Sequence, residues 1–297
     1  MKIVLMFIAL LYSNSIVFAQ TPDEPNFKIP LKSGGIVFTW NQPENRTVFA
    51  CGGADSAQKE IIRGLTFTYR VGSPQSIEPA CNYWANSVAR VISGKGIKDK
   101  QWNPDVSYDQ GGHYLAMEVI TLEDNVINSP IYYRNYLSSS GARYGSYLSS
   151  IRKKNLLSAD TNYFSQGVFG PPLKNMPKDG SASYNVLVNP GLYATKRLPA
   201  VLINFSKAEL TVTGQFIEQG NGVALYTNEP IKINGDGTFE GEIALSLRNS
   251  MQTSNIKAYL AGFLGGENGE IIYASLVPGS SQLGTGFILG EKESARK

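Results

Sequence analysis

VLINFS (Val201–Ser206), ELTVTGQF (Glu209–Phe216), GVALYT (Gly222–Thr227), PIKI (Pro230–Ile233), TFEGEIALSL (Thr238–Leu247), IKAYLAGFL (Ile256–Leu264), EIIYASLV (Glu270–Val277) and TGFIL (Thr285–Leu289) follow one another with almost no helical signal. They predict eight short strands between Ala200 and Leu289. Turn signals separate most of them: Asn221-Gly222, the run Asn234-Gly235-Asp236-Gly237, Gly265-Gly266, Asn268-Gly269 and Pro278-Gly279. Asn-Gly and Asp-Gly mark hairpins because these residues tolerate positive φ.

The alternation sets the period. Phe239, Gly241, Ile243, Leu245 and Leu247 share one face of their strand, and Thr238, Glu240, Glu242, Ala244 and Ser246 the other. A meander of this kind leaves open edges unless it closes, and eight strands make a small barrel that its own side chains fill. Gly214, Gly241 and Gly262 suit places where such a barrel bends or a bulky neighbour needs room. An ordinary antiparallel sandwich is the competing architecture.

Three segments, LTVTG (Leu210–Gly214), GDGTFEG (Gly235–Gly241) and AGFLGGENGE (Ala261–Glu270), resemble the C-terminal β-barrel of the transferrin-binding-protein-B-like superfamily. There an F-x-G strand precedes a glycine-rich strand pair; Phe239, Gly241, Gly262, Phe263 and Gly265 correspond. Where the superfamily has A-x-E-x-G-G, this chain has Glu267-Asn268-Gly269-Glu270. The likeness covers the last third of the chain. One branch, the hemophilins, comprises secreted haem-acquisition proteins with a handle domain before the barrel; another holds surface lipoproteins used in host association.

Upstream, Met1–Ala19 reads as a secretory signal peptide: Lys2, an apolar run too short to span a bilayer, and Val17-Phe18-Ala19 as cleavage site. No cysteine follows the apolar run, so the expected product is exported and not lipidated, secreted or held at the cell surface. The expected domains are 1–19 signal peptide, 20–195 handle and 196–297 barrel, in a mainly β protein with an α+β handle. The net charge of +3 is too small to argue for nucleic acid. Cys51 and Cys81 are the two cysteines, and export makes one disulfide the default. Closing a loop of about 30 residues would contribute roughly 3–4 kcal/mol in the chain-entropy model. A redox pair is the alternative, without the usual Cys-x-x-Cys spacing.

Within the handle, Gly35–Trp40, Thr47–Cys51, Leu65–Val71, His113–Leu122 and Tyr184–Val188 read as strands, and Ile131–Leu137 as a short aromatic segment. Tyr83–Ile92 reads as a helix stopped by Gly94 and Gly96. Ala142–Asn155 reads as the best helix, with Tyr144, Tyr147 or Leu148, and Ile151 at helical spacing and Arg152, Lys153 and Lys154 at its C-terminal end. Asn162–Pro190 reads as a long loop region and Pro190–Pro199 as the linker into the barrel.

His113 is the single histidine. Serine and cysteine hydrolases of the usual type need a histidine base beside the nucleophile, and multi-histidine zinc or copper sites need several. No glycine-rich phosphate loop is present. An enzyme is therefore not expected, although paired carboxylates stay open because sequence gives no distances. One histidine suffices as an axial ligand to haem iron. His113 follows Gly111-Gly112, where the backbone can approach a planar ligand closely. Tyr108, Tyr114 and Met117 lie near it in sequence, and Tyr132, Tyr133 and Tyr136 are rival ligands or pocket walls. Arg134 or Arg143 could pair a haem propionate. The plain alternative is a hydrogen-bonded histidine at a strand end among ordinary core aromatics.

The resemblance implies more: haem b bound in the handle beside the barrel with His113 as ligand, secretion by an outer-membrane translocator, and delivery to a TonB-dependent outer-membrane receptor. It also implies two other partners to weigh, a host iron protein such as transferrin or haemoglobin, or a haem-free host-association role through the handle surface. A lipocalin-like container is weaker, because short-stranded barrels are filled.

Overall fold

The computed structural model describes residues 27–30, 36–51, 58–62, 65–69, 85, 88–103, 115–122, 131–138, 140–152, 162–189, 196–218, 221–248, 253–278 and 286–293. In chain order the handle supplies β1 (Phe27–Pro30), β2 (Ile36–Asn41), β3 (Arg46–Cys51), β4 (Gln58–Ile62), β5 (Leu65–Tyr69), β6 (Ile97–Asn103), β7 (Leu115–Leu122), β8 (Ile131–Leu137), β9 (Arg143–Arg152) and β10 (Asn162–Gly170). Eight of these form one antiparallel sheet in the order β1-β2-β3-β10-β9-β8-β7-β6, and β4 with β5 forms a separate hairpin. β10 therefore joins the N-terminal β1–β3 meander to the β6–β9 meander.

The handle sheet buries both faces. Phe38, Trp40, Phe49 and Phe169 belong to one, with Phe38 stacked on Trp40 at 6.3 Å between ring centroids. Phe169 and Ile120 on this face pack against Val91 and Ile97. Val91 belongs to the predicted helix, which is helical at Ala85 and over 88–93 and gives way at Gly94, whose φ is +71°. Val37, Val48, Ala50, Tyr136, Tyr144 and Val168 belong to the other face, which meets the barrel.

The C-terminal part supplies β11 (Ser181–Asn189), β12 (Lys196–Asn204), β13 (Glu209–Glu218), β14 (Asn221–Tyr226), β15 (Ile231–Lys232), β16 (Thr238–Arg248), β17 (Thr253–Gly265), β18 (Ile271–Pro278) and β19 (Gly286–Lys292). Their order is β12-β11-β19-β18-β17-β16-β14-β13, and a β12–β13 pairing closes the ring into the eight-stranded barrel that the sequence predicts. Its interior is filled by Tyr184, Val186, Ile203, Leu210, Phe239, Leu245, Leu260, Ile272, Leu276, Ile288 and their neighbours. Each such large apolar side chain contributes roughly 1.5–3 kcal/mol by leaving water. The Tyr184 hydroxyl, buried with them, donates to the carbonyl of Gly269.

Several sequence readings are corrected here. PIKI is not a stave: β15 continues the line of β14 along β13, interrupted at 227–230, with Ile231 opposite Leu210 and Thr227 N donating to Val212 O. The eighth stave is β11, which pairs with β12 and β19, so the ring begins at Ser181 rather than at 196. Asn162–Pro190 is mostly strand, β10 and β11, and the expected linker runs into β12 from Lys196. Ala142–Asn155 is not a helix; it contains β9, hydrogen-bonded to β8 and β10. Tyr144 and Leu148 satisfy period 2 as well as helical spacing, and strand pairing on both flanks decides between the two periods.

Candidate functional site

His113, Tyr108, Tyr114 and Cys81 lie outside the described residues. Cys51 ends β3 opposite Ile36, and its pairing with Cys81 likewise lies outside them. The remaining candidates fall on two adjacent strands. Met117 of β7 is opposite Arg134 of β8; Tyr132 is opposite Val119 and Leu148; Tyr133 is opposite Glu118 and Tyr147. Tyr136 is opposite Leu115, where β7 begins two residues beyond His113, and opposite Tyr144 on its other flank. The register thus gathers Met117, Tyr132, Tyr133 and Tyr136 along one ladder. Of the two propionate candidates, Arg143 is exposed at the start of β9.

Tyr136 is 6% exposed and stacks on Tyr144 with centroids 5.5 Å apart. The pair stands at the seam between handle and barrel. There the outer faces of β17, β18 and β19 present Ala261, Phe263, Ile271, Tyr273, Val277, Phe287 and Leu289 to the handle sheet. Alternation puts Ile272, Ala274 and Leu276 into the barrel and Tyr273, Ser275 and Val277 into the seam. β18 is therefore buried on both sides, and its sequence is a nearly continuous apolar run, as expected for a doubly covered strand. β16, with one face in water, keeps its strict alternation.

Polar contacts cross this seam at its centre and rim. Ser275 Oγ donates to Val48 O at 3.0 Å, with Ser275 fully buried. The Tyr273 hydroxyl lies 3.2 Å from Gly170 O and 3.1 Å from Pro171 O. Tyr144 Oη donates to Glu291 Oε1 at 2.9 Å. Arg46 Nη1 donates to Asp236 O at 2.7 Å, and its guanidinium lies 5.1 Å from the centroid of the Phe263 ring. Burial pushes the Tyr273 phenol well above the ordinary tyrosine range, and the nearby Arg46 charge only partly opposes this. Both Tyr273 and Ser275 stay neutral donors, which is what a dry seam tolerates.

Past the seam, the chain between β10 and β11 lies along one end of the barrel. Lys174 N donates to Gly266 O at 3.0 Å and Asn175 N to Glu267 O at 2.9 Å. Gly265 leaves space for the Pro171 carbonyl, which a Cβ there would strike. Of the residues at this end and in the seam, sequence alone does not single out Lys174, Asn175, Tyr273 or Ser275. The available signal was the nearly continuous apolar character of Ile271–Pro278 and of the Phe287–Leu289 run, which marks the barrel strands that another layer covers.

Among the described residues no cluster of His, Cys, Asp and Glu could hold a metal ion, and no helix is long and apolar enough to cross a membrane. What the arrangement provides is a filled barrel fixed to one face of a broad sheet, with the β7–β8 ladder beyond the point of attachment. No protein-family model matches the chain, nor does any curated relative. Similar solved structures include HpuA from Kingella denitrificans in complex with human haemoglobin, 10% identical with a TM-score of 0.35 over 67% of this chain and 89% of that one. A transferrin binding protein B (TbpB) double mutant from Haemophilus parasuis Hp5 is 12% identical with a TM-score of 0.40, over 89% of this chain and 61% of that one. Intact Ap-TbpB, with its N and C lobes, is 10% identical with a TM-score of 0.38, over 89% and 62%. The chain thus spans about three fifths of the length of these two TbpB chains.

Proposed function

We propose that this chain is an exported binding protein whose handle recognises an iron- or haem-carrying protein of a host. The observation that carries this reading is the filled barrel. Its described interior is packed with large apolar side chains, so recognition falls to surfaces outside the barrel's interior, and the handle is the part that the resemblance makes the binding domain. The partner class comes from the resemblance carried by Phe239, Gly241, Gly262, Phe263 and Gly265.

A second reading is capture of free haem b, with His113 as axial ligand. It is favoured by the register that puts Met117 of β7 in phase with Tyr132 and Tyr136 of β8, near the start of β7, with Tyr133 out of phase with them. Imidazole, thioether and phenolate are all donors that haem iron accepts. Tyr136 itself is occupied by its stack on Tyr144, so His113 would be the residue to hold the iron. On this reading a translocator secretes the chain and a TonB-dependent receptor takes up the haem.

The test is one set of titrations on the purified exported chain, using human haemoglobin, human transferrin and hemin in separate arms. Saturable binding to either protein, retained in His113→Ala, supports the first reading. A one-to-one Soret shift with hemin that His113→Ala abolishes supports the second. Failure in all three arms at micromolar protein overturns both and leaves a haem-free host-association factor.

A further inference from the structure

Two barrel turns carry an Asn-Gly pair whose side chains are described, Asn234-Gly235 and Asn268-Gly269. Both asparagines are exposed. In such a pair the glycine puts no side chain in the way of its own nitrogen, which can then reach the asparagine carboxamide.

The two turns hold their asparagines differently. The Asn234 carboxamide donates from Nδ2 to Thr238 Oγ1 at 2.7 Å, and Thr238 Oγ1 is itself fixed by donating to Asp236 Oδ1 at 2.7 Å. Asn234 N donates to Thr238 O at 2.8 Å, and Asn234 O accepts from Gly237 N at 2.9 Å. Side chain and main chain of Asn234 are thus both tied. At Asn268 the backbone N–H is held by both carboxylate oxygens of Glu270, at 3.1 and 2.9 Å. Its carboxamide makes no hydrogen bond among the described residues and is free to turn back on Gly269.

The residue after Asn268 is built into the barrel. Gly269 is buried, its φ is +72°, and its carbonyl accepts the buried Tyr184 hydroxyl. A Cβ on Gly269 would stand 3.6 Å from Tyr184 Oη and 3.8 Å from the Leu173 and Leu264 side chains. A change in the main chain at 268 is therefore passed directly to the barrel interior.

We propose that Asn268 is a self-modification site, where the folded chain deamidates with consequences for its barrel. The Gly269 nitrogen gives its proton to solvent base and attacks Asn268 Cγ. The new N–C bond closes a five-membered imide, and the side-chain nitrogen leaves as ammonia with a proton from water. Water then opens the imide at either carbonyl, and nothing is oxidised or reduced. One opening leaves aspartate, which adds a carboxylate between Glu267 and Glu270. The other leaves isoaspartate, whose main chain runs through the side chain and is one methylene longer. That extra length moves the Gly269 carbonyl off Tyr184 and leaves a phenol in the barrel interior without its acceptor. The site lies on the barrel and does not depend on the handle's partner.

The experiment is timed incubation of the purified exported chain in mildly alkaline buffer, followed by peptide mass mapping and urea unfolding. Asn268 converts at least about fivefold faster than Asn234, the factor that one neutral hydrogen bond on the Asn234 carboxamide is worth. The aged chain unfolds at lower urea than the fresh one. Asn268→Gln, which would need a six-membered ring to react, keeps its midpoint on ageing. Fresh Asn268→Asp carries the added charge on an ordinary main chain and unfolds near the fresh parent. Conversion of Asn234 as fast as that of Asn268 would overturn the proposal, as would an aged parent that unfolds like the fresh one. So would ageing that weakens Asn268→Gln as much as the parent, or fresh Asn268→Asp already as weak as the aged chain.

Discussion

The Ser275 hydroxyl donates to the carbonyl of Val48, 227 positions away in sequence, from a site that solvent does not reach. It joins barrel and handle at the middle of an otherwise apolar seam. Ser275→Ala removes the donor and leaves a strand carbonyl short of one partner. The expected loss is about 1 kcal/mol, within the range of a neutral buried hydrogen bond. Urea unfolding of the full chain measures it, and a variant as stable as the parent would show that the bond contributes nothing net.

Gly290 tests the closing stave. A Cβ at this position would collide with the Asn185 carbonyl and come within 2.8 Å of the Val186 side chain. Both partners belong to β11, which is held by β12 and cannot withdraw. Gly290→Ala is therefore expected to cost about 3 kcal/mol, at the upper end of overpacking effects. Gly235, whose Cβ would meet nothing within 4 Å, serves as the tolerant control. Equal unfolding midpoints for the two variants would refute the close approach.

A fragment beginning at Ser181 carries all eight staves, whereas one beginning at Lys196 lacks β11 and leaves β12 and β19 unpaired on facing flanks. Both expose the same seam surface, so their difference isolates the stave. The longer fragment should unfold cooperatively in urea with a β-type circular dichroism spectrum. The shorter one should aggregate or give no transition, because open apolar edges associate.

Alkaline pH should unfold the protein through its buried tyrosines. Burial raises the phenol of Tyr184, assisted by the Glu270 charge, and raises that of Tyr273. In the unfolded chain these groups ionise near pH 10. Above that, the unfolded state binds fewer protons than the folded state, so stability falls as pH rises. Below it neither state ionises and the contribution is flat. Absorbance at the tyrosinate band should show these residues ionising only together with loss of the fold; ionisation of all tyrosines near pH 10 with the fold intact would contradict it.

Arg46 makes a further rim test. It reaches the Asn234–Gly237 turn, where Asp236 O accepts its bond and Gly237, at φ +84°, permits the tight reversal. Arg46→Ala should cost about 1–2 kcal/mol, combining a charged hydrogen bond with cation–π contact to Phe263. Arg46→Lys should recover only part of this, since an ammonium cannot present the same planar group to both partners. Full recovery by lysine would indicate that charge alone matters.

Local pattern determined most of the barrel. The alternation of Thr238–Leu247, the turns at Asn234–Gly237 and at Gly266 and Gly269, and the strand-like runs at 201–216 act over a few residues and are legible as such. Helical spacing also located the turn of helix over 88–93. The same local reading misjudged β9, because Tyr144 and Leu148 satisfy more than one period, and counted PIKI as a stave. In the candidate site, Met117 could be placed on a strand from sequence and Tyr136 only in a short aromatic segment; neither the stack of Tyr136 on Tyr144 nor the bond from Tyr144 to Glu291 was legible.

Only the tertiary structure decided which strand closes the ring and which barrel face carries the handle. β11 enters the barrel by pairing with β19, about a hundred residues later, and Ser275 finds Val48 across most of the chain. Pairings at such separations leave no periodic trace in either segment; they follow from shape and from the need to cover β18 on both sides. Its apolar run, IIYASLVP, announced that both faces would be buried. What would bury the outer one was settled only when the handle sheet folded against it.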